Sequence, residues 1–367
     1  MAEHSAYHHG EASLQSTIVG LAQSFVGSNN VNLLMPIGQF GTRNQGGKEA
    51  ASARYIFTNL SAVTRHLFNE MDDNVLTFLE EEGQSIEPDH YLPIAPLCLM
   101  NGADGIGTGW STSIPMYEPK EIVANLKRMM QGLEPGRMTP WYKGFQGTIE
   151  PTRGREKSFT CTGEYEVLSD TELEITELPV GTWTRAYKTW LEELADKGEI
   201  DDIREYHQEN RVHFVLTVPK LLEIERKEGG ILKKFRLQTT LPCTNFVLFN
   251  AEGKIYRYAT ELDILKEFFA QRETLYHRRK EYMLARLQKE NEILVNKVKF
   301  IQGVIGDALK INKVKRKVLV RSMVDFGLAK ISEINAIMNR FASVGPGAHQ
   351  KAIKAAADGD AQAEADD

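Results

Sequence analysis

An arginine and a tyrosine stand side by side at Arg54 and Tyr55, behind a glycine-rich segment that also carries Arg43 and Lys48. A tyrosine hydroxyl is a weak nucleophile because its ordinary pKa is about 10, so it needs a proton acceptor and a fixed positive charge to attack a phosphodiester. A guanidinium supplies that charge through two parallel donors. The residue types predict phosphodiester chemistry, while an isolated Arg-Tyr pair is also typical of a surface cation beside a half-buried aromatic ring.

The string around this pair is long enough to compare with known families. It reads GQFGTR over 38–43, GGKEAASA over 46–53 and RYIFT over 54–58. This string resembles the active-site segment of type IIA DNA topoisomerases, in the form found in eukaryotic topoisomerase II. One departure is Ala53, where many members of the family carry proline.

Further segments resemble the same family, so the similarity covers roughly residues 2–330. SAYHHGE over 5–11 is similar to the element of the winged-helix module that faces the tyrosine. NGADGIGTGWS over 101–111 and ELPV with TWT over 177–184 also resemble family motifs, although Gly181 stands where arginine is usual. Matches of lower specificity are KFRLQT over 234–239 and DILKEFF over 263–269.

The resemblance implies a catalytic role for three residues. Tyr55 would attack a DNA phosphodiester to leave a 5′-phosphotyrosyl link and a free 3′-hydroxyl, and Arg54 would stabilise the transition state. His9 would contact the scissile phosphate or assist proton transfer. On the residues alone, adjacent histidines such as His8 and His9 are ordinary surface side chains that cannot both face one point.

The resemblance and the local basic charge also imply a set of DNA contacts. In the family, the isoleucine that matches Ile106 wedges between base pairs and bends the duplex, and a wedge of this kind unstacks one base step. The alternative is a core isoleucine in a tight loop. The predicted DNA-binding residues are Tyr7, His8, Ser13, Arg43, Lys48, Ile106 and Trp183.

Composition and charge set limits on these expectations. The net charge is −6, but the last ten residues, Asp358–Asp367, hold five acids and no base, which leaves −1 for the rest. A near-neutral body can bind DNA where its basic residues cluster. A second basic cluster over 310–321 is typical of a solvated helix face.

The cysteine content and the hydrophobic runs exclude some other classes. The three cysteines are far apart, which argues against a disulfide framework and against a structural zinc site. No apolar run is long enough to span a membrane.

Hydrophobic periodicity predicts an α+β, multidomain fold. Helices are expected over 13–26, from Thr58, from Pro119 and over 182–194, and hairpins over 165–175 and 246–258. A long helix with a heptad-like seam begins at Glu261. With the resemblance, this implies part of a winged-helix module carrying the tyrosine over 1–145, a tower-like α/β domain over 146–260, a truncated coiled-coil dimerisation arm over 261–342 and a disordered acidic tail over 343–367.

The resemblance implies the breakage-reunion fragment of an ATP-dependent type II topoisomerase, an isomerase that passes one duplex through a transient break in another. Mg²⁺ and ATP would serve the full-length enzyme at sites outside this chain, so neither a metal site nor a cofactor site is predicted here. The expected partners are double-stranded DNA and a second copy in a homodimer, without a membrane. The expected location is the nucleus, or alternatively a mitochondrion or similar organelle. A non-catalytic DNA-binding and dimerisation module is the competing interpretation.

Overall fold

The computed structural model describes residues 7–208 and 210–341. Helices α1 to α10 are, in chain order, Glu11–Ala22, Thr64–Leu67, Leu97–Met100, Pro119–Met130, Thr184–Asp196, Leu221–Glu225, Gly230–Lys234, Glu261–Ile305, Arg316–Asp325 and Ile331–Ala336. Strands β1 to β13 are Phe78–Glu81, Gln84–Pro88, Ala103–Gly107, Trp110–Ile114, Thr148–Pro151, Ser158–Thr162, Glu164–Val167, Glu172–Glu177, Asp202–Glu205, Phe214–Thr217, Gln238–Pro242, Phe246–Phe249 and Ile255–Tyr258. The predicted mixture of helices and strands is confirmed.

The chain divides into two compact units, each of which is built from stretches that are separated in the sequence. The large unit comprises His8–Leu67 and Pro93–Gln271. Within the described residues, the small unit comprises Tyr7, Phe68–Leu92 and the chain from Arg272 to Phe341. The structure therefore groups 68–92, which the sequence assigned to the tyrosine-bearing module, with most of the long helix. The predicted tail over 343–367 lies outside the described residues.

The main core of the large unit lies between an antiparallel sheet and helix α5. The four strands run in the order β7-β8-β10-β9, and β7 and β8 form the predicted hairpin. Tyr187, Leu191 and Leu194 recur at helical spacing on α5 and are buried against Leu173 and Phe214 of the sheet. Burial of this stripe fixes the segment that precedes α5, which carries Trp183.

Smaller antiparallel pairings complete the large unit. Strands β11, β6 and β5 form a three-stranded sheet, and β12 pairs with β13 in the predicted hairpin over 246–258. Strands β3 and β4 form another hairpin, which carries most of the NGADGIGTGWS motif over 101–111. The helix predicted to open at Thr58 begins only at Thr64, because the preceding residues pair with 33–37 instead.

The small unit is organised around a buried carboxylate. Asp72 accepts hydrogen bonds from Arg272 at 2.8 Å and from Arg279 at 3.2 Å. Both arginines lie on α8, where Leu275 is buried with Val75. These contacts explain why the segment 68–92 folds with the helix rather than with its neighbours in sequence.

Candidate active site

Tyr55 is presented to solvent at the end of a short 3₁₀ turn. The turn spans Ala53–Tyr55, and the Tyr55 N–H donates to the Ser52 carbonyl at 2.9 Å. Beyond the turn, Phe57 and Ile37 exchange two backbone hydrogen bonds of 2.9 and 3.2 Å. The tyrosine side chain is 66% exposed although the backbone on its C-terminal side is paired. A phenol held in this way is accessible to a large substrate such as a duplex.

Arg54 lies directly against the ring of Tyr55. Its guanidinium carbon is 4.8 Å from the centroid of the ring, within the range of a cation–π contact. Among the described residues, no carboxylate forms an ion pair with Arg54. The positive charge therefore remains available beside the phenol, as the chemistry inferred from the sequence requires.

The glycine-rich segment before the turn folds back on itself. A Cβ at Gly41 would lie 2.5 Å from the Cα of Gly47. The backbone at these two positions therefore lies too close together for a side chain at position 41, and glycine is required there. The amide of Gln23, just after α1, donates to the carbonyls of Phe40 at 2.9 Å and Gly47 at 3.3 Å. Gln23 thus links the two ends of the loop by hydrogen bonds. It was not among the residues predicted from the sequence.

Arg43 is buried, which corrects its assignment as a DNA contact. Its side chain is 4% exposed and donates to the carboxylate of Glu177 and, at 3.0 Å, to the carbonyl of Leu178. A buried guanidinium with these partners is not presented to a phosphate. We therefore assign Arg43 a structural role. Its partner Glu177, the first residue of the ELPV motif, was not predicted from the sequence.

Trp183 packs on the same loop. A Cβ at Gly46 would lie 2.4 Å from the indole ring, so only glycine leaves room for Trp183 there. The indole also contacts Phe25 in an edge-on arrangement, with a ring-centroid distance of 5.9 Å. Trp183 thus positions the loop, and its predicted DNA contact stays a prediction.

Ile106 stands at the tip of the β3–β4 hairpin. It is 93% exposed, which rules out the alternative of a core isoleucine. Cross-strand pairing of Gly107 with Trp110 places the 52% exposed indole on the opposite face of the hairpin from Ile106. The base is anchored by Asn245, whose carbonyl accepts from the Ser113 N–H at 2.9 Å. An apolar side chain that projects into solvent from a hydrogen-bonded hairpin is suited to insertion between base pairs.

The remaining predicted residues lie near the chain's start or on the loop surface. His8 and His9 are exposed immediately before α1, and Ser13 is exposed in its first turn. Lys48 is exposed on the glycine-rich loop, so its charge faces solvent, unlike that of Arg43. Tyr7 is half-buried and belongs to the small unit. The roles of these residues stay predictions.

Neither a metal-binding cluster nor a membrane-spanning helix is found among the described residues. No group of three or more histidine, cysteine, aspartate or glutamate side chains in the described ranges lies close enough to hold a metal ion. None of the described helices is both long and apolar enough to cross a membrane.

Comparison with known proteins agrees with this geometry. The chain is 48% identical over 324 residues to DNA topoisomerase 2 of Arabidopsis thaliana and 46% identical over 333 residues to DNA topoisomerase 2-beta of Mus musculus. These alignments cover 87% and 89% of this chain but only 22% and 20% of the relatives. The chain thus spans about a fifth of the length of these relatives.

A solved structure and a family profile complete the comparison. The crystal structure of the Plasmodium falciparum topoisomerase II DNA-binding, cleavage and re-ligation domain superposes with a TM-score of 0.85 at 47% identity, covering 91% of this chain and 46% of that one. The profile of the DNA gyrase/topoisomerase IV family, which describes the A-type subunit of these enzymes, matches residues 2–355. Together with the exposed Tyr55 and its adjacent arginine, this match shows that the chain belongs to the DNA gyrase/topoisomerase IV family.

Proposed function

We propose that this chain is the DNA-breaking and rejoining part of an ATP-dependent type II DNA topoisomerase of the eukaryotic kind, an isomerase that passes one duplex through another. The observation that carries the proposal is the pairing of an exposed phenol with a guanidinium 4.8 Å from the centroid of its ring, which forms no ion pair with any carboxylate of the described residues. Exposure makes the Tyr55 hydroxyl accessible to DNA, and the adjacent guanidinium supplies positive charge beside it. The similarity to named topoisomerases supports the same conclusion.

In the proposed reaction, the hydroxyl oxygen of Tyr55 attacks a backbone phosphorus. A bond forms between this oxygen and phosphorus, and the bond from phosphorus to the 3′ oxygen breaks. The phenolic proton leaves Tyr55, and the departing 3′ oxygen gains a proton to become a hydroxyl. One phosphodiester replaces another, so the reverse reaction reseals the strand. Arg54 would stabilise the negative charge that grows on the phosphorus oxygens.

The other residues would bind or bend the duplex. His9 is proposed to contact the scissile phosphate or to assist the proton transfer. Ile106, at the tip of its hairpin, would enter between base pairs and bend the DNA. The remaining proposed contacts to the sugar-phosphate backbone are Tyr7, His8, Ser13, Lys48 and Trp183.

Cofactors, assembly and location form a further part of the proposal. Mg²⁺ and ATP would serve the complete enzyme, and their ligands would come from residues outside this chain. Two copies would act together, each breaking one strand, and α8 would contribute to a coiled-coil arm between them. The nucleus is the proposed location, because the named relatives are eukaryotic topoisomerases.

Covalent capture of DNA tests the proposal. The chain is mixed with supercoiled plasmid, Mg²⁺ and a separately expressed segment of the full-length enzyme that would carry the Mg²⁺ ligands. The mixture is then denatured, and protein attached to 5′ ends of the DNA is measured. We expect an adduct with the wild type and none with Tyr55→Phe. Tyr206→Phe is the matched control, since Tyr206 is a 55% exposed tyrosine of the large unit outside the site.

Two outcomes would contradict parts of the proposal. Adduct that persists in Tyr55→Phe would mean that another residue is the nucleophile. Absence of adduct in every variant, with plasmid binding retained, would instead favour a non-catalytic DNA-binding and dimerisation module.

A further inference from the structure

A pocket of about 650 Å³ lies on the surface of the large unit, and none of its lining residues belongs to the candidate active site. It opens between the turn after α5, the segment after β10 and the short helices α6 and α7. Five of its twelve lining residues are lysines, and three are glutamates. These lysines are Lys197, Lys220, Lys227, Lys233 and Lys234.

Positive charge in the pocket exceeds negative charge. Lys234 is neutralised by an ion pair with Glu199. The other four lysines form no ion pair with any described carboxylate, and the only other acids in the lining are Glu223 and Glu228. The formal balance of the pocket is therefore +2. Like charges gathered in a concave site focus the electrostatic potential and attract anions.

The walls of the pocket are fixed by the core beneath them. Leu221 on α6, Ile231 on α7 and Phe235 just after α7 are at most 2% exposed and belong to the main core. The connection between the helices is held by hydrogen bonds from Gly230 to the Lys227 carbonyl at 2.8 Å and from Lys233 to the Gly229 carbonyl at 3.0 Å. The backbone that carries the lysines is thus already arranged before any ligand arrives.

We infer that this lysine pocket binds a phosphate group, either in the backbone of a duplex or in a soluble phosphorylated ligand. Ammonium groups are compact, strongly hydrated donors that suit phosphate as point charges. The volume of about 650 Å³ lies within the range of small-molecule pockets. The inference concerns a site apart from Tyr55 and does not need strand cleavage.

The test uses the full chain with Tyr55→Phe, so that cleavage cannot contribute. The pocket variant replaces Lys197, Lys220, Lys227 and Lys233 by Gln. The control variant replaces four exposed lysines elsewhere by Gln and changes the net charge equally; these are Lys120, Lys280, Lys297 and Lys299. Inorganic tripolyphosphate binding is measured by calorimetry, and binding of a short duplex by fluorescence anisotropy over a range of salt concentrations.

The inference predicts that tripolyphosphate affinity falls about tenfold or more in the pocket variant and less than about twofold in the control. If the bound phosphate is that of DNA, duplex affinity also falls, and the salt slope decreases by about 0.9 for each lost phosphate contact. If the ligand is soluble, duplex binding stays unchanged while tripolyphosphate binding is lost. Equal tripolyphosphate affinity in the pocket variant and the parent, or an equal loss in the control, would overturn the inference.

The thermal unfolding midpoint of each variant checks the fold. The four replaced lysines make no described ion pair, so we expect the midpoint to be unchanged. A failure of the covalent-capture experiment would leave this result unaffected, since both probes bind without reaction at Tyr55.

Discussion

The guanidinium of Arg43 donates to the carboxylate of Glu177, which lies 134 positions further along the chain. Both side chains are at most 4% exposed. The same carboxylate accepts from the backbone N–H of Leu178 at 2.8 Å and of Gln146 at 3.1 Å. A buried ion pair tolerates desolvation only when such additional hydrogen bonds satisfy it. The pair thereby joins the glycine-rich loop that precedes Tyr55 to the end of β8.

Arg43→Met should destabilise the large unit by about 3–5 kcal/mol, because it leaves the Glu177 carboxylate buried without its counter-ion. The measurement is urea unfolding followed by fluorescence. Lys254→Met is the control, because it breaks an ion pair with Glu252 in which Lys254 is 74% exposed, and it should change the free energy of unfolding by less than about 0.5 kcal/mol. Equal stability of the two variants would contradict the structural role of Arg43.

Arg54→Lys should lower the rate of covalent adduct formation by roughly ten- to a hundredfold. The substitution keeps the charge but removes the planar pair of donors that fits two phosphate oxygens. Single-turnover cleavage of a labelled duplex measures the rate. Arg137→Lys alters an exposed arginine of the large unit and should leave the rate unchanged. An unchanged rate in Arg54→Lys would show that charge alone is sufficient at this position.

Ile106→Ala should reduce bending of a bound duplex with little effect on folding, because the side chain is 93% exposed. Energy transfer between dyes at the two duplex ends reports the bend. Leu133→Ala removes a 51% exposed side chain elsewhere in the large unit and should leave the signal unchanged. The wedge role would be refuted by equal energy transfer in both variants and the wild type.

Gly46→Ala should destabilise the loop more than Gly181→Ala does. Both glycines have positive φ, 66° and 84°, so both substitutions carry backbone strain of about 1–2 kcal/mol. A Cβ at Gly46 would also collide with Trp183, at about 1–3 kcal/mol, whereas nothing lies within 4 Å of a Cβ at Gly181. The thermal unfolding midpoints of the two variants measure the difference. If they coincide, Trp183 moves away freely and does not hold the loop.

His207 should make the large unit less stable as the pH falls. Burial lowers the pKa of His207 below its ordinary value despite the nearby Glu205. Its Nδ1 accepts a hydrogen bond of 2.9 Å from the His213 N–H, which a protonated ring cannot do. The unfolded chain therefore binds the proton more tightly, and stability declines as the pH falls from about 6.5 towards the lower folded pKa.

Unfolding of His207→Gln at several pH values tests this dependence. The variant should show a flatter change in stability between about pH 7 and 5 than the wild type does. His90→Gln replaces a histidine that is 64% exposed and should keep the wild-type profile. A wild-type profile in His207→Gln would assign the dependence to other groups.

Local patterns determined much of this protein from its sequence. The hairpins of β7 with β8 and of β12 with β13, and the helices α4 and α8, were predictable because their periodicity, turn residues and first-turn proline act within a few positions. The string around Arg54 and Tyr55 was sufficient to indicate the candidate chemistry. It also indicated the family, which the profile match over 2–355 confirmed.

Only the tertiary structure decided which of the candidate side chains face solvent. Arg43 and Lys48 lie on the same basic, glycine-rich stretch, yet one pairs with Glu177 in the interior and the other is exposed. Similarly, the segment 68–92 joined the long helix because Asp72 meets two arginines 200 and 207 positions away. Burial and pairing depend on contacts between distant residues, and a pattern read over neighbouring positions contains no information about them.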